Sequence, residues 1–362
     1  EHPVAALTAE LYEVHDRNHF EIHGFSYGPD TKDKMHLRIK AGVDHFHDVR
    51  TMPHKDVVML ARSLEIDIAV DLGGHTKNAR TGIFAMSAAP IQISYIGYPG
   101  TMSANYYDYL VADRTLIPEE KQLHYSEKIV YMPNSYQVND SKQSPPEIIF
   151  TRKDLGLPEE GFVFCCFNNI FKITPTTFDS WGRILEKVDG SVLLVEHPSL
   201  NESTKKNLIK EITARGIDPS RLIFGKRLPK PEYLARYRVA DLFLDTLPYN
   251  AHTTTSDALR MGLPVLTCMG NSFASRVAAS LLNAVNLPEL ITTTKEEYES
   301  LAIELATDPE KLKIIKDKLV SNLSTAPLYD TALFARNLES AYSIMYDRYQ
   351  QDLNPDHIYV KH

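Results

Sequence analysis

A repeated alternation constrains this chain more than any other feature. Short apolar runs end in glycine-rich or polar turns, each run is followed by a helical pattern, and the series starts twice. In the first series, residues 20–27, 66–72, 91–96 and 128–133 read as strands, with helical patterns at 4–14, 57–64 and 80–88. In the second, residues 162–167, 192–195, 222–224, 241–245 and 264–268 read as strands, with helices at 175–188, 202–215, 232–240, 258–262 and 275–283. Such alternation predicts parallel sheets with helices on both faces. Residues 139–153 are polar and carry Pro145-Pro146, so the domain linker is placed there. The predicted architecture is α/β, with two Rossmann-like doubly wound domains at residues 1–145 and 146–330. A final helix at 331–362 carries Phe334, Leu338, Tyr342, Met345 and Tyr349 on one stripe and is expected to pack back on the body. Two such halves predict a cleft between them, with ligands beyond the carboxyl ends of the strands.

Composition narrows the function. A net charge of −8 argues against a nucleic-acid partner. No apolar run approaches the ~20 residues of a membrane span. The three cysteines, Cys165, Cys166 and Cys268, lie in apolar runs, which suggests buried, reduced thiols in a cytoplasmic protein. The signatures of dinucleotide enzymes, P-loop NTPases and serine hydrolases are missing. Glu1-His2-Pro3-Val4 runs straight into a helical pattern, which suggests an excised segment whose first strand lies upstream.

One turn concentrates chemistry. The apolar run 241–245 leads into Tyr249-Asn250-Ala251-His252-Thr253-Thr254-Thr255-Ser256-Asp257, which opens a short helix closed by Gly262. Thr254, Thr255 and Ser256 are the cap candidates. A helix start presents free N–H groups and attracts anions, so a diphosphate there sits near His252 and Thr253. Asp257, one turn in, can accept hydrogen bonds from sugar hydroxyls. An isolated Thr/Ser-rich turn is more often an ordinary capped helix; the other loops tip the balance. Lys172 follows the first strand of the second half, where a cation can neutralise a diphosphate leaving group. By default such a lysine is a solvated surface residue, but its place at a strand end favours the functional reading. Asn169 can bond the same group. In Gly225-Lys226-Arg227-Leu228-Pro229-Lys230, Lys230 can reach a ribose or a phosphate. Gly97-Tyr98-Pro99-Gly100-Thr101 and Gly73-Gly74-His75-Thr76-Lys77 are turns where backbone can approach a ligand. His45 and His47, two apart between Asp44 and Asp48, can hold a metal, though a surface strand is the favoured reading.

Over nearly its whole length the chain resembles the catalytic region of the O-GlcNAc transferases and the related SPINDLY-type proteins. The resemblance rests on Ala89-Pro90-Ile91-Gln92 with Gly97-Tyr98-Pro99-Gly100-Thr101, on Tyr125-Ser126-Glu127-Lys128 with Tyr131-Met132-Pro133, and on Phe167-Asn168-Asn169 with Lys172-Ile173. It continues through Leu244-Asp245-Thr246, His252-Thr253-Thr254 with Asp257, and Ala274-Ser275-Arg276-Val277-Ala278-Ala279-Ser280. It implies a GT-B architecture and an inverting transfer of GlcNAc from UDP-GlcNAc to Ser or Thr hydroxyls of proteins, with no cofactor and no metal. Lys172 looks like the family's essential diphosphate-binding lysine, and Asn169 stands where the O-GlcNAc transferases have Gln. His252, Thr253 and Thr254 look like the diphosphate clamp, and Lys230 and Asp257 like the ribose contacts. Leu228 joins the donor set, and Tyr233 stands where a His stacks near the uracil. Gly97 and Pro99 match residues of the sugar pocket. His75, Thr76 and Lys77 match an acceptor-side loop, and His2 the active-site histidine. Phe167-Asn168-Asn169 and Gly74-His75-Thr76 lean instead towards fucose transfer from GDP-fucose; a non-catalytic sugar-nucleotide or protein-binding module is the rival of another class. The family's aspartate four residues before the active-site histidine falls before Glu1, and its tetratricopeptide repeats have no counterpart in these residues. The expectation is a trimmed catalytic core with little activity of its own.

Overall fold

The computed structural model describes residues 2–361. Strands β1 (His23–Ser26), β2 (His45–Asp48), β3 (Ile68–Asp71), β4 (Ile91–Ser94), β5 (Tyr109–Asp113) and β6 (Lys128–Met132) come first. Strands β7 (Val163–Cys166), β8 (Val192–Val195), β9 (Leu222–Phe224), β10 (Leu242–Leu244), β11 (Val265–Cys268) and β12 (Ile291–Thr292) follow, and β13 (Ile358–Tyr359) closes the chain. The chain divides into two compact units, one of Glu1–Gln143 with Pro327–His362 and one of Ser144–Ala326.

In the second unit all six strands are parallel, in the order β12-β11-β10-β7-β8-β9. The chain builds outward from β7 to β9, then returns to lay β10 on the other side of β7. That reversal is a topological switch point, where loops leaving the carboxyl ends of two neighbouring strands diverge. Strands β7, β8, β10 and β11 are buried at every position, which explains their unbroken apolar runs: a parallel sheet covered on both faces has no polar side. Cys165, Cys166 and Cys268 are free and buried, and burial pushes their thiols up. Helix Pro175–Lys187 starts on a Thr174 cap with proline in its first turn and buries Phe178, Trp181, Ile184 and Leu185 at helical spacing. The Trp181 indole donates to the Tyr298 hydroxyl at 3.2 Å, and that hydroxyl donates to the Asp245 carbonyl at 3.0 Å. Tyr298 comes from helix Lys295–Thr307, which opens on a capping box formed by Thr294 and Glu297.

The first unit holds a second parallel sheet, β13-β6-β5-β4-β3, while β1 and β2 pair separately. Strand β5, buried throughout, escaped the sequence reading because tyrosines and aspartates flank it in place of glycine or proline turns. Strand β13 was also unread; it pairs with β6 only after the C-terminal helix brings it there. That helix, Thr331–Gln350, buries Phe334, Leu338 and Met345, but Tyr342 is half-buried and Tyr349 is exposed, so the stripe is narrower than expected.

Other expectations need correction. The linker does not begin at 139: Asn139 and Asp140 are buried, Asn139 donating to the Leu328 carbonyl at 3.1 Å and Asp140 pairing with Arg38. The predicted helix at 80–88 is one turn, Gly82–Ala85. Arg80 is turned to the carbonyls of Val49 and Met52, and Ser87 adopts a left-handed φ of 56° that ends the turn. The helix at 232–240 is Lys230–Ala235, tightening into a 3-10 turn at Arg236–Val239.

Tyr298→Phe removes the acceptor of a buried indole and the donor to Asp245 together. We expect it to destabilise the second unit by about 1–3 kcal/mol. Urea unfolding followed by fluorescence of Trp181, the sole tryptophan, measures it; an unchanged midpoint contradicts the role given to this bridge.

Candidate active site

The two loops that leave β7 and β10 meet at the switch point. The loop after β7 makes a 3-10 turn, Ile170–Lys172. Lys172 donates from Nζ to the Asn250 carbonyl at 2.8 Å and lies 4.0 Å from the centre of the Tyr249 ring. Burial pushes this lysine down to about 8, against an opposing pull from Asp245.

Asp245 shapes the loop after β10. It is buried, and its carboxylate accepts from the Thr246 amide at 2.7 Å, the Ala251 amide at 2.6 Å and the Thr267 hydroxyl at 2.7 Å. Asn168, at the end of β7, donates to the same carboxylate at 3.3 Å and to the Thr246 hydroxyl at 2.8 Å. Asn250 ties the turn to itself, donating from its side chain to the Thr246 carbonyl at 2.8 Å. Its amide donates to the Ala274 carbonyl at 2.9 Å. Despite these donors, burial raises Asp245 to about 6.

The helix after this turn is Thr253–Arg260, and its cap is His252, not the expected Thr254, Thr255 or Ser256. The hydroxyls explain the correction. Thr255 donates back to the Ala251 carbonyl at 3.0 Å and Ser256 to the Thr253 carbonyl at 3.0 Å, as such residues do inside a helix. The His252 side chain makes no cap bond. Its ring stacks on Tyr249 with centroids 5.0 Å apart, and Nε2 lies 3.3 Å from the Ala274 carbonyl. Burial pushes His252 down to about 3, with Lys172 adding to the effect, so the imidazole is neutral at ordinary pH. Thr253 and Thr254, both half-buried, head the helix, where amides have no intrahelical acceptor. Neutral imidazole, helix-start amides and a desolvated lysine thus converge on one short turn, an arrangement suited to a polyanion.

Asp257, one turn further, is buried and held up by that burial, against the pull of Lys230, whose Nζ sits 2.6 Å from it. Lys230 also lies 5.2 Å from the centre of the Tyr233 ring. The Tyr233 hydroxyl pairs with that of Tyr237 at 2.6 Å. Leu228 is half-buried in the loop after β9. Asn169 accepts from the Ser199 hydroxyl at 3.0 Å. The structure therefore groups Lys172, His252, Thr253 and Thr254 at one turn, with Asp257 on the same helix paired to Lys230 from helix Lys230–Ala235.

The remaining candidates belong to the first unit. At the end of β3, Asp71 accepts from the amides of Gly73 and Gly74 at 2.8 and 3.1 Å and from the Tyr107 hydroxyl at 2.5 Å. In that loop His75 Nε2 lies 3.0 Å from the Met102 carbonyl, Thr76 donates to the Gly73 carbonyl at 2.8 Å, and Lys77 is exposed. Gly97 and Pro99 are half-buried beyond β4. A Cβ on Gly97 would lie 2.0 Å from the Leu72 carbonyl oxygen, so glycine there serves packing of the two loops. His2 caps helix Pro3–Val14, its Nδ1 accepting from the Val4 amide at 3.2 Å.

Sequence reasoning quoted Asp245 and Asn168 only within motifs and gave them no role. The signal was present: a lone carboxylate closing an apolar strand in front of a polar turn, at both Asp71 and Asp245.

Two parallel sheets in an α/β chain, one with a basic, amide-rich turn at its switch point, define the chain as a GT-B glycosyltransferase-type α/β protein. It belongs to glycosyl transferase family 41, whose profile matches residues 1–148 and 142–338. An Arabidopsis thaliana protein named as a probable UDP-N-acetylglucosamine–peptide N-acetylglucosaminyltransferase, SEC, is 36% identical over 99% of this chain and 37% of its own length. A similarly named SPINDLY protein of Oryza sativa subsp. japonica is 33% identical over 96% of this chain and 38% of its own length. The solved structure of a mutant O-GlcNAc transferase from Thermobaculum terrenum superposes with a TM-score of 0.89 at 33% identity, covering 97% of this chain and 66% of that one. The chain thus spans well under half the length of the curated relatives it matches.

Asp245→Ala leaves two buried amides and a buried hydroxyl without their acceptor. We expect a loss of about 3 kcal/mol or more in the second unit, read as a lowered calorimetric transition temperature; retention of the wild-type transition rules out Asp245 as the organiser of the turn.

Proposed function

We propose that this chain is the catalytic region of an inverting glycosyltransferase that moves GlcNAc from UDP-GlcNAc to Ser or Thr hydroxyls of proteins. One observation carries the reading: Lys172 is docked 2.8 Å from the Asn250 carbonyl, two residues before the cap of a helix whose first amides lack intrahelical acceptors. The names of the relatives supply the donor and the peptide acceptor. In this reading the diphosphate lies on the amides of Thr253 and Thr254 beside neutral His252, and Lys172 leaves the Asn250 carbonyl to pair with it. Lys230 and Asp257 hold the ribose hydroxyls, Leu228 and Tyr233 flank the base, and Asn169 bonds the phosphates. Gly97 and Pro99 belong to the sugar side, and His75, Thr76 and Lys77 to the acceptor side.

The acceptor hydroxyl attacks the anomeric carbon in line as the bond to the diphosphate oxygen breaks and UDP departs with the electron pair. Charge therefore grows on the diphosphate, where the helix amides are fixed in advance and Lys172 is one side-chain movement away. They supply the positive charge, so the reading requires no metal. His2 is the titratable candidate for the acceptor proton. A cytoplasmic setting belongs to the same reading, supported by three free, buried thiols.

Lys172→Ala should reduce transfer at least about a thousandfold while the circular dichroism spectrum and melting curve stay close to wild type. Near-normal turnover in that variant removes Lys172 from the mechanism. Calorimetric titration with UDP and GDP separates GlcNAc transfer from fucose transfer, since the proposal requires UDP to bind more tightly. UDP binding without any transfer in the full-length protein marks a binding module instead.

The depressed lysine gives a pH signature. Lys172 loses its proton near pH 8 in the free protein, whereas a bound diphosphate stabilises the ammonium and raises its value. Binding then takes up a proton above pH 8, so UDP affinity should fall as pH rises beyond 8, by up to about tenfold per unit. Lys172→Arg, which stays charged, should show no such slope between pH 7 and 9.5; a slope equal to wild type assigns the titration to another group.

A further inference from the structure

Away from the proposed donor turn, the first unit gathers imidazoles on the β1–β2 ribbon. Parallel pairing sets His23 opposite His45 and Phe25 opposite His47. Glu21 lies two residues before His23, on the same face if the extended period continues. The result is a cluster in which one ligand atom from each of Glu21, His23 and His45 lies within 4.8 Å of the others. His45 Nε2 is 2.6 Å and His23 Nε2 3.7 Å from the same Glu21 oxygen. The rings of His23 and His45 are 4.6 Å apart, and those of His23 and His47 stack at 5.3 Å.

We propose that Glu21, His23 and His45 form a zinc-binding clip on the β1–β2 ribbon. Two imidazole nitrogens and one carboxylate oxygen are a donor set suited to zinc, with water as the fourth ligand. In a tetrahedral site with bonds of about 2.0–2.1 Å, ligand atoms sit roughly 3.3 Å apart. The observed 2.6 and 3.7 Å bracket that spacing, so small side-chain movements suffice. Glu21 and His45 have side chains 67% and 50% exposed and are free to make them, while His23, at 10%, is the anchor.

The neighbour of His23 favours coordination. Its Nδ1 lies 3.1 Å from His47 Nε2. With a proton on Nδ1 donated to His47, His23 keeps the lone pair on Nε2 directed at Glu21 and His45, the tautomer a metal needs. A hydrogen bond from the far ring nitrogen is the usual way a metal-bound histidine is oriented. His47 is itself packed against Phe25, with ring centroids 4.9 Å apart, so the orienting ring is held. The 2.6 Å contact of His45 with Glu21 carries a proton that zinc displaces on binding. The clip suits its location: a two-stranded ribbon is marginal alone, and here it is not continuous with the five-stranded sheet. None of these residues belongs to the proposed transfer machinery.

The test strips the chain with a chelator, restores zinc, and measures bound metal by elemental analysis after gel filtration and affinity by calorimetry. About one zinc per chain is expected, with a raised melting temperature and, for cobalt in its place, the visible bands of a tetrahedral ion. His45→Gln and Glu21→Gln should each weaken zinc binding at least about tenfold, and His47→Phe less, with UDP binding unchanged in all three. Glu21 is exposed, so its variant keeps the proposal falsifiable should His45→Gln fold poorly. Zinc affinity as high in Glu21→Gln and His45→Gln as in wild type, or no binding at micromolar zinc, overturns the proposal.

Discussion

The second unit is arranged around one buried carboxylate. Asp245 directly follows β10, and its two oxygens gather the amides of Thr246 and Ala251 and the hydroxyl of Thr267. Those donors fix the path from strand to turn, and the turn fixes where helix Thr253–Arg260 begins. The backbone carbonyl of Asp245 is held in turn by Tyr298, itself bonded to Trp181. Burying a charge is costly, and it is tolerated here because hydrogen bonds and a nearby cation accompany it. The cost shows in Asp245, raised to about 6, and in Lys172, lowered to about 8. Lys172 is the half of this pairing that is only partly buried and is hydrogen-bonded to a neutral carbonyl, so an incoming anion meets a cation that gains from it.

The first unit uses the same device with different residues. Asp71, at the end of β3, holds the amides of Gly73 and Gly74 and the hydroxyl of Tyr107. Glycine is needed nearby for contact reasons: Gly74 has a left-handed φ of 57°, and a Cβ there would meet Tyr98 at 2.5 Å. A carboxylate at the carboxyl end of a parallel strand thus serves twice as the post on which an irregular loop is hung. Loops of this kind hold shape without regular secondary structure because their amides find a fixed acceptor.

A buried ion pair lies on the other side of β7 from the turn that follows β10. Arg236 pairs with Glu196 at 2.7 Å, both almost fully buried, and its guanidinium lies 4.4 Å from the Phe167 ring centre and 5.2 Å from that of Tyr233. Such pairs add little net stability over apolar packing, but removing one partner is costly. Here the pair fixes the aromatic platform beside Lys230, so its contribution is to placement. Gly225 belongs to the same packing: a Cβ there would lie 2.9 Å from Glu196.

The amino-acid order alone determined the class of fold, because two-sided burial of parallel strands writes unbroken apolar runs between helical patterns, and β7, β8, β10 and β11 lie where those runs do. It also determined which loops are chemically unusual, since Lys172, His252 and Thr253 are conspicuous at strand ends. It left β5 and β13 unread, as one lacks turn signals and the other becomes a strand only through pairing with β6. The helix cap at His252 was settled by Thr255 and Ser256 bonding backwards to carbonyls, a choice local sequence leaves open. Tertiary structure alone brought Lys172 to Asn250, 78 residues on, and His23 to His45. Contacts between distant residues depend on strand order and register, which are set by how whole elements pack and leave no mark on the spacing of the residues they join.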